Sequence, residues 1–362
     1  MIAKTQLSPS ELDAMQDELE ALRREVLATI GARDARHIRR MVRIARYLAI
    51  AGRSLLMFGF GPIAWLSGVL SLAAAKILEN MEVGHNVMHG QYDWMNDAAL
   101  HSQTYEWDIV CDGDHWRHSH NVEHHNHTNI IGRDHDYGYG MLRLSAQQRW
   151  TRAALLQPVW YAILALNFQW GVAVHDIKIG RYLKGRMDKA EFRQRMRPFL
   201  RKASRQLFKD YVLFPVIALW HAPQVLLGNL AANLLRNVWT NAIIFCGHFT
   251  GDAQTFTKAE TQDESRGAWY LRQLQGSSNL EGSRLFHIMT GHLSHQIEHH
   301  LFPDIPAPRY AEIAPRVRAI CAKYGVHYNS GGFWSQYASV LKRIVVHAFP
   351  TRPPLQTEMA LR

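Results

Sequence analysis

Apolar and polar positions follow helical spacing through most of this chain. Over residues 8–30, Leu12, Met15, Leu19, Leu22 and Val26 recur every three or four places, the spacing of one helix face. Ser8-Pro9-Ser10-Glu11 precedes them with capping-box spacing, and Gly31 follows as a stop. This predicts a helix packed on the protein's own soluble face. From Ser54 to Ala75 there is no charged residue, which is length enough to cross a bilayer once. Gly61-Pro62 interrupts that run, and apolar character reaches back to Tyr47 and on past Leu78. The pattern predicts two spans, 43–60 and 62–84, with a short turn between them; one long span is the alternative. A second charge-free run, Tyr211 to Leu235, resumes after Arg236 up to Phe249. It predicts a second hairpin, 211–222 and 224–248, turning near Pro223. Residues 153–175 are apolar and aromatic, and are expected to lie along the membrane surface. Amphipathic helices near 308–324 and 333–347 complete the prediction.

Charge orients this arrangement. Six arginines lie within residues 33–46, and twelve Lys or Arg against four acids lie within 176–210, whereas the turns near 61 and 222 carry none. By the positive-inside rule the termini and the segments between the hairpins face the cytoplasm. The fold class expected is therefore all-α and membrane-integral: four spans under a cytoplasmic helical cap. Its regions are a basic amphipathic N-terminal part (1–42), a membrane domain (43–350) and a C-terminal tail (351–362). Lys76 and Arg236 are expected at the cytoplasmic interface, since a charge at the bilayer centre is costly. The alternative for Arg236 is burial opposite Glu79 or Glu82.

The 362 residues carry a formal charge of +10 and 21 histidines. The charge suits an anionic partner, with membrane lipid the simplest choice and nucleic acid not expected. Mean hydropathy is −0.22, an average over unlike regions. The first 30 residues are polar and lack the apolar core of a cleavable signal. Cys111, Cys246 and Cys321 are far apart in sequence, which argues against a structural zinc site, an iron–sulfur cluster or a disulfide framework, and for a reducing compartment.

The histidines cluster. Box I is His85-Asn-Val-Met-His89, box II is His120-Asn-Val-Glu-His124-His125, and box III is His295-Gln-Ile-Glu-His299-His300. On a helix, residues four apart share a face, so one metal can take both imidazoles. The next residue is rotated by about 100° and reaches toward a second metal. His248, at the end of the fourth span, is level with the boxes and brings the set to nine, enough for two metals. Imidazole alone does not choose among iron, zinc, copper and nickel. His115, His118, His127 and His135 are polar neighbours or orienting groups. His292 shares a predicted helix face with His295 and is the residue most exposed to reassignment. Glu123 and Glu298 are expected to hydrogen-bond rather than to coordinate.

These boxes and their surroundings, Glu79 to Gly90, Trp116 to His125 and Gly291 to Pro303, resemble the membrane fatty-acyl desaturases and are similar to bacterial stearoyl-CoA 9-desaturases. The resemblance spans about residues 10–345. It implies two iron ions, O2 as co-substrate, His248 as the ninth ligand, and a cis double bond, Δ9 by analogy, placed in a saturated long-chain acyl-CoA at the inner membrane. In animal relatives an asparagine four residues before the ninth histidine holds a metal-bound water. Here that position is Ile244, and Asn241, on the same face, is the possible substitute.

An unactivated methylene C–H bond needs an oxidant stronger than any side chain, which iron and O2 supply. No catalytic residue beyond the metal ligands is expected. The chain has no Gly-rich dinucleotide loop, haem-attachment motif or cysteine cluster, so electrons are expected from outside, from an NAD(P)H-dependent reductase or a ferredoxin-type protein. Rival readings are a di-iron lipid or alkane hydroxylase and a histidine-rich metal transporter.

Overall fold

The computed structural model describes residues 3–351, and the expected tail falls outside them except for Thr351. Helices dominate, joined by one parallel pair of three-residue strands, β1 (Asn279–Glu281) and β2 (Ser330–Gly332). Helix α1 is Pro9–Leu27, with Ser8 as its cap. The Glu11 backbone N–H donates to Ser8 Oγ, and the Ser8 backbone N–H donates to Glu11 Oε2 at 2.8 Å. This is the reciprocal arrangement the sequence predicts. Its stripe residues Met15, Leu19 and Leu22 are buried against Tyr270, Leu274, Phe302 and Val317, so α1 belongs to the cap.

Helix α2 (Ala32–Phe58) and helix α3 (Gly61–Met88) form the first hairpin. The turn is Gly59-Phe60, two residues before the predicted place. Pro62 lies in the first turn of α3, where its missing N–H costs nothing. The pair packs closely because a β-carbon on Gly52 would stand 2.7 Å from the Leu72 backbone nitrogen. Gly228, on the third helix of this bundle, leaves room for Leu56 in the same way.

The second hairpin differs from expectation. Instead of starting at 211, its first arm continues the basic helix α7 (Lys189–Phe208) through a widened turn to Ile217. Chain direction reverses over 218–221, where Leu219 has φ 50, and α8 (Ala222–His248) returns. The apolar segment before it is split at Asn167 into α5 (Gln157–Leu166) and α6 (Phe168–Ile177), each too short to cross a bilayer.

Large apolar side chains are exposed at both hairpin tips: Phe60 is 84% exposed, Ile63 81% and Trp220 92%. Among the described residues, Gly61–Met88 alone is both long and apolar enough to cross a membrane by length and composition. Helix α8 carries Asn229, Asn233, Arg236, Asn237 and Asn241, all buried.

Lys76 and Arg236 are both buried and not at a surface. Lys76 donates to Asp210 at 2.7 Å, and Arg53 donates to the other oxygen of Asp210 at 3.0 Å. Arg236 donates to Asn237 at 3.1 Å; a hydrogen bond to Glu79 or Glu82 is not formed. A charge taken from water needs a partner, and Asp210, at the end of the basic helix, supplies it for Lys76.

Candidate metal centre

Boxes I and II lie on helices that widen to π geometry, at Leu78–His85 and Arg117–His124. Such widening is rare and is frequent at functional sites. Its consequence in α4 (residues 113–127) is that His120 faces both later histidines equally, with ring centroids 5.0 Å from His124 and 5.0 Å from His125. His85 and His89 lie 4.6 Å apart at the end of α3. His248 ends α8.

Eight of the nine predicted histidines meet. The nitrogens of His85, His89, His120 and His299 lie within 4.8 Å of one another, as do those of His124, His248 and His300. His125 joins them through His299 and His300 and stacks on His300 at 4.2 Å. The groups overlap through His299 and His300.

His295 does not join them. Helix α11 begins only at Gln296 (Gln296–Leu301), and the preceding turn runs through His292 in a left-handed conformation (φ 57). His295 has φ −106 and ψ 55, so the four-residue spacing to His299 does not lie on a helix face. Its ring packs on His287 at 4.7 Å instead. Gln296 takes the inward place: its Nε2 lies 2.9 Å from His248 Nε2, while its Oε1 is buried and unpaired. The sequence carried that signal, since Gln296 stands three residues before His299.

The inward nitrogens have no partner. Nε2 of His89, His120, His125, His299 and His300 is buried and unbonded, a large cost unless something binds there. Nε2 of His124 faces Nε2 of His248 at 3.3 Å. On four of the rings the other nitrogen, in contrast, is held, whereas His125 has neither nitrogen bonded. His124 Nδ1 donates to Asp134 at 2.9 Å, His120 Nδ1 to Asp136 at 3.1 Å and His300 Nδ1 to Gln273 at 3.1 Å. His299 Nδ1 lies 3.4 Å from the Tyr310 hydroxyl. Fixing one ring nitrogen leaves the other as the ligand atom and sets the ring's direction. The donor set therefore fits metal ions.

Electrostatics agree. Burial pushes His120, His125, His299 and His300 well below the usual histidine range, so these rings are neutral and their lone pairs available. For His124 burial acts the same way, but Asp134 outweighs it and the ring is held above that range. Burial raises Asp136 to about 6.

Sequence reasoning missed Asp134 and Asp136, although they flank His135, and it missed Gln273 and Tyr310, which come from distant elements. His135 pairs with Asp176 at 3.2 Å. Glu123 accepts from Lys178 at 2.9 Å. Glu298, raised to about 7 by burial, accepts from Asn279 and Tyr328 at 2.8 Å each, which ties box III to the strand pair. Both glutamates are thus engaged in hydrogen bonds. Asn241 is fully buried with both amide atoms unpaired.

The family model for fatty acid desaturases matches residues 60–332, across all three boxes. The chain belongs to the fatty acid desaturase family. It is 46% identical over 350 residues to the NADPH-dependent stearoyl-CoA 9-desaturase of Mycobacterium tuberculosis, covering 96% of this chain and 82% of that protein. It is 26% identical over 286 residues to an sn-1 linoleoyl-lipid 6-desaturase of Synechocystis, covering 75% and 77%. Human fatty acid desaturase 3 matches at 30% over 139 residues, 38% of this chain and 28% of that one. The chain is thus a desaturase, an oxidoreductase of lipid metabolism.

Proposed function

We propose that this desaturase inserts a cis double bond at Δ9 of a saturated long-chain acyl-CoA, using O2 and electrons from an external NAD(P)H-dependent or ferredoxin-type donor. The observation that carries the proposal is the cluster of eight buried histidines with inward unpaired nitrogens, joined to the substrate named for the mycobacterial relative. His85, His89, His120, His124, His125, His248, His299 and His300 would hold two irons, with Gln296 at the position that box III offers in place of His295. Bound there, the irons with O2 supply the oxidising power that no side chain has.

The protein's own residues do the positioning. Asp134, Asp136, Gln273 and Tyr310 orient the imidazoles through their outer nitrogens. A cavity reaches His85 between Met81, Trp107, Ile109, Phe168, Val172 and Leu293. The cavity is narrow, about 50 Å³, with Asn80, Arg236, Asn237 and Thr240 also in its wall, and its apolar side is where an acyl chain would approach His85 once the cavity widens. A groove along α2, lined by Arg36, Arg39, Arg43, Arg46 and Arg53, suits the anionic CoA headgroup.

The exposed apolar tips at Phe60, Ile63 and Trp220 support immersion of both hairpins in the inner membrane, since soluble surfaces rarely carry such patches. In this reading the second and fourth spans carry His85, His89 and His248 on their cytoplasmic ends, and the cap supplies the other histidines. Expression in a host lacking desaturases, with double bonds mapped by mass spectrometry, tests the proposal. A Δ9 monounsaturated product supports it. A gain of oxygen in place of a loss of two hydrogens contradicts it.

A further inference from the structure

His292, which the sequence set aside, belongs to a second cluster. Glu82 is fully buried, one turn before His85 on the same helix. Among the described residues its carboxylate meets two imidazoles: His37 Nε2 stands 2.5 Å from Oε1, and His292 Nδ1 stands 2.9 Å from Oε2. One donor atom from each of the three residues lies within 4.8 Å of the others. They come from three separate segments, α2, α3 and the turn before box III.

That turn is built to present His292. Gly291 (φ 64) and His292 (φ 57) are both left-handed, and a β-carbon on Gly291 would stand 2.6 Å from the Met81 carbonyl. The turn is therefore jammed against the helix that carries Glu82, and a non-glycine residue is held in a costly conformation. On the other side, a groove bounded by His37, His292, Arg40, Arg43 and Leu285 opens to the exterior.

Two imidazoles and one carboxylate, with a free side, form the donor set of mononuclear zinc and ferrous sites. We propose that His37, Glu82 and His292 hold a third, mononuclear divalent cation, distinct from the eight-histidine centre. Its open coordination position faces the groove, where Arg40 and Arg43 favour an anion as the fourth ligand. The site shares no ligand with the dinuclear centre and does not depend on it.

The test uses the full chain in detergent, incubated with excess Zn2+, desalted and analysed for total metal per chain. Wild type is expected to retain three equivalents and His292→Asn two; asparagine tolerates the left-handed backbone, so the fold is kept. His37→Gln is expected to lose the same single equivalent. Loading with Co2+ in place of zinc gives a second readout, visible d–d bands that are weaker in His292→Asn. Equal content in wild type and His292→Asn overturns the proposal and leaves a triad that shares a proton. His124→Ala serves as the separate control. Should it retain all its metal while His292→Asn loses one, the dinuclear reading fails and this one stands.

Discussion

Boxes II and III present their histidines differently. In box II the helix is already running when His120 arrives, and its widened turn aims His120, His124 and His125 at one space. In box III the helix begins at Gln296, so His295 stands outside it and packs on His287. The spelling His-x-x-x-His-His is the same in both. The difference teaches that residues four apart share a face only after the helix has begun. In box III the left-handed His292 delays that start. It also turns His292 itself toward Glu82.

The comparison breaks most sharply at the histidines themselves. His124→Ala is expected to abolish desaturation, a loss of at least ~100-fold, because it removes a metal nitrogen and leaves the buried Asp134 with only the Asn129 and Asp136 backbone N–H groups. His295→Ala should keep more than about half of the product, since its ring packs on His287 and not among the eight clustered imidazoles. Fatty-acid profiles of the complemented host read both. Loss of product in the His295 variant would erase the distinction between the boxes.

A smaller effect tests the outer support of box II. Asp134→Asn should weaken iron retention by about 10- to 100-fold while the chain stays folded, the usual cost of removing a carboxylate behind a ligand imidazole. Titration with a chelator measures it, and unchanged retention would mean that Asp134 does not orient His124. Gln296→Ala sharpens box III. A loss of about tenfold in iron retention is expected if its amide completes the site facing His248, at the low end of the range for such groups.

The smallest effect lies away from both boxes. Asp34 accepts from Arg309 at 2.7 and 2.8 Å, joining the start of α2 to the segment after box III. Burial alone would raise this carboxyl, but Arg309 and the Gly31 N–H outweigh it and hold it below the usual range. Its folded value is thus the lower one. The stabilisation is fully present above the unfolded value, about pH 4, and is lost as pH falls through the folded value. Asp34→Asn should cost on the order of 1 kcal/mol at pH 7, since Arg309 keeps Glu312 and the Thr29 carbonyl, and progressively less below about pH 4. Melting curves against pH check this, with activity per folded molecule unchanged. A pH-independent difference would contradict the assigned ion pair.

Much of this was legible. Capping chemistry located α1, and uncharged runs located the hairpin of α2 and α3, because both signals are local. The histidine spacings announced clusters that could hold metal, and box II brings its three histidines together. What was not legible depends on long-range packing. Asp210 neutralises Lys76 from 134 residues away, which no window of sequence reveals. Gln273 and Tyr310 reach the cluster from other elements for the same reason. The start of α11 depends on a strained turn wedged against Met81, and helix periodicity carries no sign of it.

The central claim is that eight histidines, His295 excluded, bind the metals. It is tested most directly by the iron content of His295→Ala and His120→Ala, each reconstituted anaerobically with Fe2+ beside wild type. The account predicts that His295→Ala holds as much iron as wild type and that His120→Ala loses at least one equivalent. Equal losses in the two variants would contradict it.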